Sequence, residues 1–129
     1  MSKTLYLLFS HTLNDMQKND AFSRYGITNI IALPDELQKV WSQIPADISQ
    51  VKPFLKPIMG HLSDLKKTDY VLVQGDAGAS FVMVEWIRSK GATAIYATTK
   101  RNVTEEKIEN GKTTKTTVFQ HIRYRIYGE

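Results

Sequence analysis

The sequence has no cysteine, only four prolines and no long apolar run, and each of these scarcities excludes a class of protein. Without cysteine there is no disulfide framework, no thiolate metal site and no cysteine nucleophile, so a reducing cytoplasm is the simplest location. No stretch approaches the roughly 20 apolar residues that a membrane-spanning helix requires. The first apolar run has the length of a strand and lacks the small-residue cleavage site of a signal peptide. The composition therefore predicts a cytoplasmic protein without a membrane partner.

What the chain does contain is enough apolar material for one core. At 129 residues and 42% hydrophobic, it predicts a single domain over residues 1–129. The net charge is +4, and residues 100–129 hold seven basic and four acidic side chains. A basic C-terminal region suits a polyanionic partner, although a solvated strand face with alternating charges is the commoner explanation.

Hydrophobic periodicity predicts alternating strands and helices. Apolar strands are expected at residues 5–9, 27–33, 70–73 and 93–97. The intervening helices are expected from a capping box at Thr12 and Asp15 to about Gly26, and at residues 35–43, 54–65 and 79–90, with Gly91 as the last C-cap. This alternation predicts an α/β fold: a Rossmann-like, mostly parallel sheet with helices on both faces.

The last quarter of the chain does not continue the alternation of strands and helices. Asn110 and Gly111 separate two β-rich runs at residues 103–109 and 113–127, which predicts a C-terminal antiparallel β-hairpin over about residues 103–127. Simple alternation places His121 on the same face as Phe119, Arg123 and Arg125. His121 is then either a cross-strand partner within the hairpin or part of a cationic, imidazole-bearing surface.

Three segments are expected at the carboxyl ends of the strands, where a parallel sheet gathers its ligands. Their residues are small, polar or cationic: Ser10, His11 and Thr12; Gln74, Gly75, Asp76 and Gly78; and Thr98, Thr99, Lys100 and Arg101. The second segment is either an ordinary turn with Asp76 as N-cap or a phosphate cradle, and its spacing matches neither the dinucleotide fingerprint nor the Walker loop. His11 is either a turn residue or an acid–base group. The three scattered histidines predict no metal site, and no cofactor is expected.

The helix expected at residues 79–90 is apolar around nearly its whole circumference, which indicates burial on more than one side. Either the segment at residues 45–65 covers it or a two-fold dimer does. We favour a homodimer, because small α/β domains often build a ligand cleft across a symmetry axis.

Five segments of the chain resemble one of the small CRISPR-associated Csx families of type III systems. They are residues 7–12 (LLFSHT), 33–45 (LPDELQKVWSQIP), 69–76 (DYVLVQGD), 95–101 (IYATTKR) and 119–127 (FQHIRYRIY). These segments occur in order and span almost the entire chain. Several members of these families are regarded as stand-alone ring nucleases.

The resemblance implies a CARF-related domain that cleaves cyclic oligoadenylate, with the tetra-adenylate ring as the expected substrate, and so switches off type III antiviral signalling. Chemistry then suggests metal-independent attack by a ribose 2'-hydroxyl on the neighbouring phosphorus. In this hypothesis His11 moves a proton, Lys100 or Arg101 stabilises the phosphorane charge, and the other residues of the three segments position the substrate. No stable DNA partner is expected. The alternatives are a sensor or sponge that binds the ring without cutting it, and a sequence-independent nucleic-acid binder.

Overall fold

A computed structural model describes residues 2–107 and 111–129 of the chain. Its elements follow one another in the order β1 (Lys3–Leu8), α1 (Asp15–Tyr25), β2 (Ile27–Ala32), α2 (Asp35–Ser42), a 3-10 turn (Lys52–Leu55), α3 (Lys56–His61), β3 (Tyr70–Val73), α4 (Ala77–Ser89), β4 (Thr93–Lys107) and β5 (Thr113–Ile126). The chain is an α/β protein, as the alternation of apolar runs predicts.

The five strands form one mixed sheet in the order β2-β1-β3-β4-β5. The pairs β1–β2, β1–β3 and β3–β4 are parallel, whereas β4 and β5 are antiparallel. One core cluster packs α2, α3 and α4 against the sheet, and a second packs α1 against it. Parallel strands are usually buried on both faces, and the continuous apolar runs of β1 and β3 are typical of such strands.

Helix α1 begins later than its sequence suggests. The capping box is formed by Asn14 and Gln17, each side chain bonded to the other's backbone amide, and not by Thr12 and Asp15. Asparagine is at least as good an N-cap as threonine, and glutamine completes the box where aspartate is too short. The expected end is confirmed, because Gly26 adopts the left-handed conformation at φ 74° and its amide donates to the carbonyls of Ala21 and Phe22.

The prediction of a single helix at residues 54–65 is wrong. A 3-10 turn ends at Leu55, and α3 covers only Lys56–His61. Pro57 lies in the first turn of α3, where a missing amide hydrogen costs nothing. Because proline cannot donate to the carbonyl four residues earlier, it interrupts an α-helix that begins before this turn.

Strand β4 is much longer than expected. The predicted strand at residues 93–97 and the predicted first arm of the hairpin belong to one strand of 15 residues. Only its first part pairs with β3, up to Ile95 opposite Leu72; everything beyond pairs with β5 alone. Residues 99–107 and 113–120 therefore form a two-stranded extension, called the ribbon below. Residues 108–110, including Asn110 of the expected turn, lie outside the described residues.

A bulge interrupts the ladder where the ribbon leaves the sheet. Thr98 pairs with Arg123 and Thr99 pairs with His121, so Ile122 has no partner across the ladder. An extra residue reverses the alternation of side chains beyond it. As a result His121 and Tyr124, three positions apart, are both buried on the α1 side of the sheet.

Within the described part of the chain, no helix combines the length and the apolar character needed to cross a membrane.

Candidate functional site at the carboxyl edge of the sheet

The chain reverses its direction of travel across the sheet between β1 and β3. From β1 it crosses to β2 on one side, and it later returns to place β3 on the other. The amide of Gln74 donates to the carbonyl of Leu8 at 3.0 Å, so the segments that follow β1 and β3 start side by side. Crevices at such a switch point are where open α/β sheets bind their ligands.

The turn after β3 is held rigidly by its neighbours. The Gln74 side-chain oxygen accepts a hydrogen bond from the amide of Ala97 at 2.9 Å, and the Gln74 carbonyl accepts one from Trp41 Nε1 at 2.9 Å. A Cβ atom at Gly75 would lie 2.9 Å from the same Trp41 nitrogen, so only glycine fits there. The close approach of Trp41 thus accounts for Gly75, and the side-chain nitrogen of Gln74 remains as a donor.

Helix α4 begins at this turn. Asp76 is its N-cap, and the Asp76 carboxylate accepts from the amide of Ala79 at 2.9 Å, which confirms the capping role expected for it. Gly78 lies in the first turn of the helix. The amides of Ala77 and Gly78 have no acceptor within the helix itself, so they and the positive end of the helix dipole are available to an anion.

A groove of about 470 Å³ opens beside this first turn. Its polar part is lined by Gln74, Gly75, Ala77 and Ser80, and its apolar, aromatic wall by Phe81, Val84, Tyr96 and Tyr127. The rings of Tyr96 and Tyr127 lie 4.8 Å apart at an angle of 55°, and the Tyr127 hydroxyl donates to the carbonyl of Val73 at 2.6 Å. Burial, and then the neighbouring Tyr96, raise the pKa of Tyr127. Tyr127 therefore stays uncharged near neutral pH.

Ser80 is the one buried polar residue of the groove without an evident structural role. Its hydroxyl oxygen is shielded from solvent and has no hydrogen-bond partner among the described residues. Buried hydroxyls are nearly always paired, because desolvating an unpaired one costs free energy. The exception suggests a function for the groove that Ser80 lines.

The segment after β1 lies beside a different pocket. Ser10, His11 and Thr12 are exposed, and the His11 ring meets Phe9 edge to face at 5.4 Å. His11 and Thr12 line a pocket of about 240 Å³ together with Lys18, Gln38 and apolar residues of β1 and β2. Helix α2 connects the two segments, because Gln38 donates to the carbonyl of Phe9 at 3.4 Å and Trp41 to that of Gln74.

The third segment is not a loop. Thr98, Thr99, Lys100 and Arg101 all lie within β4, and Lys100 and Arg101 are exposed opposite Gln120 and Phe119 on the ribbon. The Thr98 hydroxyl is engaged at the bulge, where it donates to the carbonyl of Arg123 at 3.0 Å. Arg101 lies four residues beyond Ala97, about 13 Å along an extended strand. The cations therefore project past the carboxyl edge.

His121 pairs with Thr99 across the β4–β5 ladder, as expected for a cross-strand partner, but its side chain is not part of a cationic surface. Only 5% of it is exposed, and its Nε2 lies 2.8 Å from Oδ2 of Asp20 in α1. Asp20 also accepts from the amide of Tyr124 at 3.1 Å and from Arg24 at 2.9 Å. Burial alone would raise the pKa of Asp20, but these hydrogen bonds and the charge of Arg24 lower it below its ordinary value. This network joins α1 to the bulge.

The structure thus places Gln74 and Gly75 in the lining of the groove and Asp76 and Gly78 at the start of α4 beside it. His11 and the ribbon cations are not part of this lining. Sequence reasoning missed Trp41, Ser80, Tyr96 and Tyr127. Trp41 stands in the 33–45 segment, and the two tyrosines stand in the 95–101 and 119–127 segments. The presence of an aromatic residue in each of these segments was the signal that could have identified them as part of the groove.

Comparison with known proteins gives a match over nearly the whole chain. The sequence pattern of the Uncharacterized protein MJ1673 family matches residues 3–125. Uncharacterized protein MJ1673 of Methanocaldococcus jannaschii is 43% identical over 124 residues, covering 95% of this chain and 95% of that relative. No solved structure matches the chain significantly. The matched range includes both loops of the carboxyl edge and the segment with Lys100 and Arg101.

Proposed function

The chain belongs to the MJ1673 family, and from this premise we propose that it is a ring nuclease that cleaves cyclic oligoadenylate, with cyclic tetra-adenylate as the preferred ring. In this proposal it acts in the cytoplasm and ends type III CRISPR signalling. The strand order β2-β1-β3-β4-β5 supports a Rossmann-like, CARF-related domain, since doubly wound sheets of similar order bind nucleotides at their switch point.

One observation carries the proposal: the 13-residue helix α4 begins at the switch point, beside a groove with a polar end and an aromatic wall. A phosphodiester at the amides of Ala77 and Gly78 would place its nucleoside next to that wall. Such a pairing of an anion site with stacking surfaces suits a nucleotide better than a free phosphate or an acidic peptide.

The proposed reaction needs only groups of the ring and of the protein. The 2'-oxygen of one ribose attacks the adjacent phosphorus, the bond from phosphorus to the 5'-oxygen breaks, and the products are a 2',3'-cyclic phosphate and a 5'-hydroxyl. The 2'-hydroxyl loses its proton and the 5'-oxygen gains one, and His11 is the proposed carrier of one of these protons. Lys100 or Arg101 stabilises the negative charge that develops on the phosphorane oxygens.

The positions of Lys100 and Arg101 fit this role in a dimer. Both side chains project beyond the carboxyl edge of their own sheet, at the base of the ribbon. A ring of four identical nucleotides has two-fold symmetry, so a two-fold homodimer presents the same groups to each half. Lys100 and Arg101 of each subunit then close over a ring that spans both carboxyl edges.

The experiment is single-turnover cleavage of radiolabelled cyclic tetra-adenylate by the full chain in EDTA. His11→Ala and Arg101→Ala are each expected to slow cleavage by about 100-fold or more. Two exposed residues serve as controls: His61→Ala on α3 removes another histidine, and Lys115→Ala removes a ribbon cation that is paired with Glu105. Both controls should cleave at the wild-type rate. Unchanged rates for His11→Ala and Arg101→Ala would remove these residues from the mechanism.

A second candidate is a sponge that binds the ring without cutting it. It is favoured by the separation of His11, which lines its own pocket, from the groove at Gln74 and Gly75. Stoichiometric protein that returns the labelled ring intact after prolonged incubation would establish the sponge and exclude the nuclease.

A further inference from the structure

The groove beside α4 has an exposed aromatic side chain at its mouth. Phe81 lines the groove, yet 65% of it is exposed. Behind it, Tyr96 and Tyr127 present two more rings. A flat ligand entering the groove would therefore meet aromatic surface on its way in and at the wall, and a groove of about 470 Å³ is large enough for a nucleoside.

The polar atoms of the groove form a definite set of donors and acceptors. The Gln74 side-chain oxygen already accepts from the amide of Ala97. The side-chain nitrogen, which can only donate, is therefore the group that Gln74 offers to a ligand. The Tyr127 hydroxyl proton is given to the carbonyl of Val73, so its oxygen can only accept a further hydrogen bond. The Ser80 hydroxyl can do both and has no partner among the described residues.

From this combination we propose that the groove between α4 and the β4–β5 pair is the binding site for one adenine base. Adenine offers ring-nitrogen acceptors beside an exocyclic amine donor, which complement the Gln74 nitrogen and the Ser80 and Tyr127 oxygens. Its purine ring stacks on the aromatic side chains. The proposal rests on the proposed function only for the source of the base, which is a nucleotide whose phosphate lies at the first turn of α4.

The test uses a probe that cannot be cleaved by 2'-hydroxyl attack. Fluorescein-labelled, 5'-phosphorylated tetradeoxyadenylate is titrated with the full chain in EDTA at physiological salt, and binding is followed by fluorescence anisotropy. Phe81→Ala is expected to weaken binding about 10-fold, since base stacking on one aromatic ring contributes that much. Phe22→Ala is the matched control, because Phe22 is also a helical phenylalanine, 61% exposed, but lies on α1 away from the groove.

Ser80→Ala separates ligand recognition from folding. The Ser80 hydroxyl makes no hydrogen bond to a described residue, so its removal should leave the melting temperature unchanged or slightly higher. The same variant should weaken tetradeoxyadenylate binding about 5-fold through loss of one hydrogen bond. A purely structural role for Ser80 would instead lower the melting temperature and leave the affinity unchanged.

Base identity supplies the third measurement. Labelled tetrathymidylate should bind the wild-type chain about 10-fold more weakly than tetradeoxyadenylate. The proposal is overturned if the two probes bind equally, if Phe81→Ala keeps wild-type affinity, or if Phe22→Ala loses as much as Phe81→Ala. It is also overturned if light scattering shows that Phe81→Ala turns a dimer into a monomer, because Phe81 would then cover a second subunit.

The outcome is independent of catalysis. If cyclic tetra-adenylate survives incubation but Phe81→Ala and Ser80→Ala still weaken the adenylate probe, the base site stands and the nuclease fails. If the ring is cleaved while both variants bind the probe normally, the nuclease stands and the base site fails.

Discussion

The sheet body, which is the five-stranded part of the sheet, and the ribbon share strands β4 and β5 but differ in how far their side chains are buried. In the body, β1 and β3 are covered on both faces, and Leu5, Leu8 and Val71 are fully buried. In the ribbon, the side chains of residues 113–120 are all exposed. Strand β4 passes from one condition to the other at the bulge beside Thr98 and Thr99. Apolar burial stabilises the body, whereas the ribbon is held mainly by its own ladder, and isolated two-stranded ribbons are only marginally stable.

The two regions therefore differ in how firmly they hold the candidate site residues. The turn at Gln74 and Gly75 is fixed by Trp41 and Ala97 from the body, as a preorganised anion site requires. Lys100 and Arg101 lie on the less constrained ribbon, where they can approach a ligand bound at the edge. Under the proposed function, the body binds and the ribbon closes.

The largest expected effect tests the body. Trp41 is 2% exposed and joins α2 to the turn after β3. Trp41→Ala should lower the free energy of unfolding by about 3–5 kcal/mol, measured by urea denaturation, because it leaves a cavity and an unpaired Gln74 carbonyl. Trp41→Phe keeps most of the packing and should lose much less. Equal losses would show that the hydrogen bond, and not the packing, stabilises this side of the body.

A smaller effect is expected at the junction between body and ribbon. Asp20→Asn should cost about 2 kcal/mol at neutral pH, since three groups share this carboxylate. The folded-state pKa of Asp20 is below its ordinary value of 3.8, so its contribution is complete above that value and is lost as the pH falls through the folded-state pKa. The gap between wild type and variant should therefore close below about pH 4.

The control for this junction is Asp47→Asn, at an exposed aspartate outside any helix or strand. Its unfolding free energy should match that of the wild type at every pH. A gap between wild type and Asp20→Asn that persists into strong acid would mean that packing, and not the charge of Asp20, holds α1 to the bulge.

The smallest effect tests the ribbon. Phe119 is 66% exposed and makes no contribution to either core cluster. Phe119→Ala should change the unfolding free energy by less than about 0.5 kcal/mol in dilute protein. A larger loss that grows with protein concentration would show that a second copy covers the ribbon, and the contrast between body and ribbon would then apply only to the monomer.

Local patterns predicted most of the body and the C-terminal antiparallel hairpin, but not the continuation of β4 from Ala97 to Val103. Strand β3 matches its expected bounds, and Gly26 and Gly91 end their helices in the left-handed conformation, because these features depend on neighbouring residues. The sequence of β4 beyond Ala97 is rich in threonine and charge, which fits a loop as well as an exposed strand. Only pairing with β5 decides between them, and that pairing is a long-range interaction.

The candidate site was predicted in part for the same reason. Gln74, Gly75 and Asp76 form a contiguous turn, and contiguity is visible in one sequence. The groove beside them combines α4 with Tyr96 and Tyr127, and no periodicity links those positions. The separation of His11 from the groove likewise depends on which side of β1 its loop faces.

The sequence by itself determined the kinds and order of the elements, the parallel body and the cap at Asp76, since residues a few positions apart specify each of them. The tertiary structure decided the bulge, the burial of His121 against Asp20 and the contact of Trp41 with the turn after β3. His121 and Asp20 are 101 residues apart, and Trp41 and Gln74 are 33 apart. Contacts at such separations form only when the sheet assembles, because one inserted residue at Ile122 changes which side chains face the core.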